Sequence, residues 1–217
     1  MHAHAYTAHA CFPRAVHGPG HRRRGPWPAT SFFCSAARPR GGNTETLARR
    51  AAEQLPAGDT ARWLRLTDLE LPPFSDPRHG EERVRPAPAG DAEVLLDATL
   101  AATDLVIASP LYWYSVSTPV KHYLDHWVNW LHAPELGFKR RMAGRTLWGV
   151  TALAGSDHAA ADPLVGTLRL SAAYLDMNWG GVLLGTGNNP GDIVGDLDAI
   201  TRAKTFFSSI PTPATRA

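Results

Sequence analysis

Two stretches of this chain carry residue types that could do chemistry together. The first is SAARPRGGNT, from Ser35 to Thr44. It holds hydroxyls at Ser35 and Thr44, a guanidinium at Arg38, two glycines and the amide of Asn43, just before a helical apolar pattern. Glycines let backbone N–H groups approach an anion, and a helix N-terminus adds positive potential, so the stretch suits a doubly charged phosphate. It lacks the Gly-Lys-Ser/Thr of a nucleoside-triphosphate loop, and its glycines do not have the spacing of a dinucleotide fingerprint. The second stretch is SPLYWYSVSTP, from Ser109 to Pro119, where Pro110 and Leu111 lead into three successive aromatics, Tyr112, Trp113 and Tyr114. Aromatic rings at the end of a strand suit a flat conjugated ligand, although such rings equally often only pack a loop.

The elements that must position these loops are read from periodicity. Leu105 to Ala108 is a short apolar run, rich in branched residues, and predicts a buried parallel strand. Ser117 or Thr118 then caps a helix with Pro119 in its first turn and Val120, Leu124, Trp127 and Leu131 on one face. Upstream, Ala29 to Cys34 predicts a first strand, and Asn43 is expected to cap a helix with Leu47, Ala48, Ala51, Ala52 and Leu55 inward. Ala61 to Leu66 predicts a second strand. A loop from Glu70 to Gly90, rich in proline, leads to a helix over Ala92–Ala101. Thr146 to Leu153 predicts a fourth strand, Asp162-Pro163 starts a helix, and Trp179 to Leu184 predicts a fifth strand, closed by GTGNNPGD. A last helix is expected to turn Ile193, Leu197, Ile200, Ala203 and Phe207 to one side.

Strands alternating with helices give an α/β fold. We expect a single doubly wound domain, a five-stranded parallel sheet in the order 2-1-3-4-5. In that order the first and third strands end side by side where the winding reverses. Phosphate donors on one loop and aromatics on the other then describe a mononucleotide with a large planar ring, FMN.

Composition narrows the alternatives. The chain has 217 residues, 44% of them hydrophobic, and a net charge of +2. Residues 1–28 contain Arg14, Arg22, Arg23 and Arg24 and no acid; taking those four positive charges away leaves −2 for the remainder. That balance gives no reason to expect nucleic-acid binding. No apolar run approaches the ~20 residues of a membrane span, so no membrane partner is expected. Two cysteines, Cys11 and Cys34, cannot supply a four-cysteine metal centre or a disulfide framework, which fits a reducing cytoplasm. No metal site is expected. Residues 1–28, with five of the ten histidines, read as an N-terminal extension. The domain is expected over 29–210 and a tail over 211–217.

The motifs SAARPRGGNTETLARR, SPLYWYSVSTPVKHYLD, ALAGSD and YLDMNWGGVLLGTGNNPGDI together resemble the flavodoxin-like NAD(P)H-dependent FMN reductases and quinone reductases, over roughly residues 29–208. The resemblance implies FMN phosphate binding by Ser35, Arg38, Asn43 and Thr44. It implies isoalloxazine contacts from Pro110, Leu111, Tyr112, Trp113 and Tyr114, and from Ala154, Gly155 and Ser156. It implies hydride transfer from NADPH or NADH through FMN to a quinone, free flavin or similar small-molecule acceptor. The alternatives are a flavodoxin-type electron carrier, disfavoured by the near-neutral domain, and an interaction module that has lost the flavin. No catalytic side chain is assigned, because the cofactor would hold the reactivity. Backbone N–H groups near Gly155 could stabilise a reduced ring, and His158 is read first as a solvated loop residue and second as a proton relay. Lys121 and Asp125 are read as a surface pair. Trp127 and Trp130 are read as core, with an interface in a homodimer or homotetramer as the second reading.

Overall fold

The computed structural model describes residues 29–36, 40–76, 87–208 and 212–214. The expected extension over 1–28 and the candidate ligand Arg38 lie outside the described residues. The elements run β1 Thr30–Ser35, α1 Asn43–Ala52, β2 Thr60–Arg65, α2 Asp91–Ala101, β3 Asp104–Ala108, α3 Thr118–Leu131, α4 Phe138–Met142, β4 Thr146–Leu153, α5 Asp162–Tyr174, β5 Asn178–Thr186, α6 Leu197–Ala203 and β6 Thr212–Pro213. The five long strands are parallel in the order β2-β1-β3-β4-β5, as the alternating pattern predicts. Beyond that expectation, β6 pairs antiparallel with the outer edge of β5 through Asn178 and Trp179.

Strand pleating divides the core between two faces. Phe32, Cys34, Leu105 and Ile107 point to one side, with Leu95, Tyr123, Trp127, Leu164 and Leu168. Phe33, Val106 and Ala108 point to the other, with Leu47, Ala51, Trp148, Leu183 and Ile193. Side chains alternate along a strand, so helices must cover both faces of a sheet whose central strand β3 is buried throughout. Trp127 and Trp130 belong to this core, and Lys121 and Asp125 form the expected surface pair.

Trp148 shapes the β4–β5 edge. Its indole N–H donates to buried Asp104 at 3.0 Å. The ring lies where a Cβ on residue 180 would fall 2.2 Å from it, so only glycine fits at Gly180. The register slips beside Trp148, and Gly181 takes φ +111°.

The last expected helix is corrected. It is divided into a 3-10 turn at Asp192–Gly195, helix α6 and a second turn at Phe206–Ser208. Asp196 breaks it, because its carboxylate accepts from the Ala199 N–H at 2.9 Å and from the Thr186 N–H at 2.8 Å. The Asp196 N–H still closes the preceding turn on the Ile193 carbonyl, but its backbone, at φ −80° and ψ 80°, is non-helical, so α6 starts afresh after it. Leu197, expected on the inner face, is 73% exposed, whereas Ile193 and Ala203 are buried.

Candidate functional site

Parallel strands deliver their following loops to one edge, and four of these loops enclose a groove of about 180 Å³. The floor comes from Ala152, Leu153 and Ala154 at the end of β4. One end is the start of α1, at Gly42, Asn43 and Thr44. The walls are Pro110, Leu111 and Tyr112 after β3, and Gly187, Asn188 and Pro190 after β5.

The α1 end is polar and electropositive. Gly42 is the N-cap, and no side chain caps the helix, so Asn43 does not play the capping role expected of it. The first-turn N–H groups have no carbonyl one turn back within the helix, and the turn that carries them lines the groove end. Thr44 is buried, and its Oγ1 accepts from the Ala152 N–H at 3.1 Å. Asn43 turns sideways. Its Oδ1 accepts from the N–H groups of Gly191 and Ile193, at 3.0 and 3.3 Å, and its Nδ2 donates to the Asn189 carbonyl at 2.9 Å. A Cβ on residue 187 would lie 2.6 Å from the Asn43 amide, so Gly187 allows this strut to form. Asn43 therefore builds one wall of the groove as well as lining it.

The aromatic loop is a tight hairpin. Tyr112 and Ser115 exchange both backbone hydrogen bonds, at 3.2 and 3.0 Å. The two central residues, Trp113 and Tyr114, have φ of +48° and +64°. That is the type I′ pattern, normally built from Asn and Gly because a bulky side chain is strained there. Trp113 is 93% exposed at the tip. The base is tied by Ser109, fully buried, whose Oγ accepts from the Ser117 N–H at 2.9 Å just before α3.

Of the residues predicted from sequence, the groove gathers Asn43, Thr44, Pro110, Leu111, Tyr112 and Ala154. Trp113 and Tyr114 project beyond the wall, and Gly155 and Ser156 form an exposed rim after β4. Ser35 is buried at the end of β1 and lines a neighbouring hollow with Arg40, Glu45 and Arg65 instead. Gly42, one of the two glycines read into the phosphate loop, also lines the groove, whereas sequence reasoning missed Ala152, Leu153, Gly187, Asn188 and Pro190. The GTGNNPGD stretch was the available signal, since it ends a strand at the same sheet edge. His158 reaches the same edge, with Nε2 3.3 Å from the Thr186 hydroxyl.

Two carboxylates near the groove are held ionised. Burial alone would raise the Glu45 carboxyl, but hydrogen bonds from Arg49, the Gly41 N–H and Arg65 outweigh it and bring the pKa below the usual range. For Asp196, burial is likewise outweighed by the N–H groups of Ala199 and Thr186, with help from Arg202 and His158. Both acids fasten loop ends behind the groove.

The family model describing the flavodoxin-like fold matches residues 34–203. The chain belongs to this flavodoxin-like family. Among curated relatives, the Bacillus subtilis protein YwqN, provisionally named an NAD(P)H-dependent FMN-containing oxidoreductase, is 29% identical over 168 residues, covering 77% of this chain and 90% of that one. Among solved structures, the Trp repressor binding protein of Bacillus subtilis aligns with TM-score 0.64 at 23% identity, over 82% of this chain and 96% of that one. The NAD(P)H:quinone oxidoreductase of Methanothermobacter marburgensis aligns with TM-score 0.62 at 15% identity, over 83% and 96%. Within this flavodoxin-like chain the matched segment contains every loop of the groove, from Gly42 to Pro190. The N-terminal extension expected over residues 1–28 lies before the match.

Proposed function

We propose that the protein is an FMN-dependent oxidoreductase that accepts hydride from NADPH or NADH and passes the electrons to a quinone, free flavin or similar small acceptor. The observation that carries this reading is the groove itself, with an uncapped helix terminus at one end and an apolar, aromatic wall at the other. The residues fit the cofactor. The α1 N–H groups and the Thr44 hydroxyl, whose proton is not used by its bond from Ala152, would hold the phosphate. Pro110, Leu111 and Tyr112 would line one side of the ring, and Ala154 to Ser156 its far edge. A bound flavin supplies the hydride acceptance and electron storage that no side chain here provides.

The chain's own residues then bind, orient and leave access. Ser109 and the Tyr112–Ser115 hairpin fix the aromatic wall. The backbone of the Ala154-Gly155-Ser156 rim is exposed, and its N–H groups would stabilise charge on a bound ring. Hydride transfer needs donor and acceptor atoms within roughly 3–3.5 Å, so one face of the site must admit a nicotinamide. The name of the curated relative and the near-neutral domain support a reductase over a carrier.

Anaerobic mixing of the FMN-loaded protein with NADPH or NADH tests the proposal. Bleaching of the flavin absorbance within seconds is the expected result. Reduction by dithionite but by neither nucleotide would overturn it in favour of an electron carrier. Failure to retain FMN at all would leave the fold without redox chemistry.

A further inference from the structure

Away from the groove, α3 carries two histidines one turn apart, His122 and His126. Their Nε2 atoms lie 3.2 Å from each other. Both also face the carbonyl oxygen of Pro72, at 2.9 Å from His122 and 3.1 Å from His126. The three atoms form a nearly equilateral triangle. His126 is buried, and the Phe74 ring packs edge-on against it at 6.5 Å between centroids.

Proton counting shows what this triangle lacks. A neutral imidazole nitrogen carries at most one hydrogen, and a carbonyl oxygen carries none. If both nitrogens donate to the Pro72 oxygen, the two N–H groups converge on it side by side and the 3.2 Å N···N edge has no proton to bridge it. If one nitrogen donates to both its neighbours, the other presents a lone pair to the carbonyl lone pairs at hydrogen-bond distance. No arrangement of protons turns all three edges into hydrogen bonds. One cation at the apex would accept a lone pair from every corner at once.

The spacing agrees with that chemistry. Ligands held at about 2.0–2.1 Å from a first-row metal are separated by roughly 3.0 Å in octahedral and roughly 3.3 Å in tetrahedral geometry. The observed edges of 2.9, 3.1 and 3.2 Å lie close to that range. Two imidazoles select a borderline divalent ion such as Zn²⁺, Ni²⁺ or Cu²⁺ over Mg²⁺ or Ca²⁺. Among the described residues no third imidazole, thiolate or carboxylate joins the pair, so water would complete the shell. We propose that His122, His126 and the Pro72 carbonyl form a divalent transition-metal site that clips the segment around Pro72 to α3.

The test uses the full chain loaded with FMN and Zn²⁺ as the probe. Zinc stoichiometry is measured by calorimetry for the wild type, His122→Ala and His126→Ala. Histidines elsewhere, five of them in residues 1–28, form a background common to all three proteins. The wild type should bind one equivalent more than either variant. Zinc should slow amide exchange at residues 69–76 and 122–126 in the wild type alone. His122 is only half-buried, so its variant keeps the comparison valid if His126→Ala misfolds. Equal stoichiometry in the wild type and His122→Ala, or zinc protection unchanged by that substitution, overturns the proposal. Flavin content is read separately and does not bear on it.

Discussion

The Thr44 hydroxyl oxygen accepts a hydrogen bond from the Ala152 N–H at 3.1 Å, joining the first turn of α1 to the end of β4 across 108 positions of sequence. The bond leaves Thr44 its own proton, which would be free to donate to a phosphate at the groove end that Thr44 lines. Thr44→Val removes both functions. The buried Ala152 N–H then lacks its partner, which costs about 1–3 kcal/mol of stability. One charge-assisted hydrogen bond to FMN also goes, so its affinity should fall roughly tenfold or more, while riboflavin is affected far less. Thr44→Ser should restore most of both. Urea unfolding and flavin titration measure the two effects separately, and equal losses for FMN and riboflavin would refute the phosphate contact.

Asn43 gives a different signature, because its side chain holds a wall of the groove. Asn43→Ala should loosen residues 187–193 and cost about 1–3 kcal/mol, with three hydrogen bonds removed. Asn43→Asp keeps the acceptor for Gly191 and Ile193 but loses the donor to Asn189 and adds a negative charge beside the phosphate end. It should therefore weaken FMN more than riboflavin. Amide exchange of the loop and paired titrations with the two flavins check both expectations.

The strained hairpin predicts a gain in stability at the expense of activity. Replacing Trp113-Tyr114 with Asn-Gly places residues suited to positive φ at both positions and should stabilise the fold by about 1–3 kcal/mol. The lost rings should weaken a planar ligand roughly two- to tenfold, the range of a single aromatic contact. A raised melting temperature with reduced acceptor turnover is the expected pair of results. Unchanged turnover would show that the tip does no work at the site.

The acid limb of stability should depend on Glu45. Its side chain is 3% exposed and bonded to Arg65 and Arg49. The folded-state pKa is depressed, so its stabilisation is complete above the unfolded carboxylate value of about 4.3 and is lost as pH falls through the lower folded value. Glu45→Gln should be less stable than wild type at pH 7, and the difference should shrink as pH falls below the unfolded carboxylate value and through the depressed folded one. Denaturant midpoints measured across that window decide it.

The sheet order and both principal loops were legible because their signals are local. Leu105 to Ala108 is apolar without interruption, and the two loops sit where strands give way to helices. Three features were not legible. The Asn43 strut joins residues about 150 positions apart, beyond any periodicity. The hairpin at Tyr112 lacks the Asn-Gly that marks such turns, since its positive-φ positions hold Trp and Tyr. The break at Asp196 depends on a bond to the Thr186 N–H, and a hydrophobic repeat alone carried the expected helix through it.

The two margins of the sheet bear on how molecules of this protein can meet. On one margin, β2 puts the exposed Arg62 on an edge strand, and a second chain laid alongside in register would bring its own arginine against it. On the other, β6 occupies part of the β5 edge, and Pro213 has no N–H to offer a further strand. Both ends therefore resist growth by backbone pairing. A concentrated solution should therefore stay free of fibrils seeded by the native sheet.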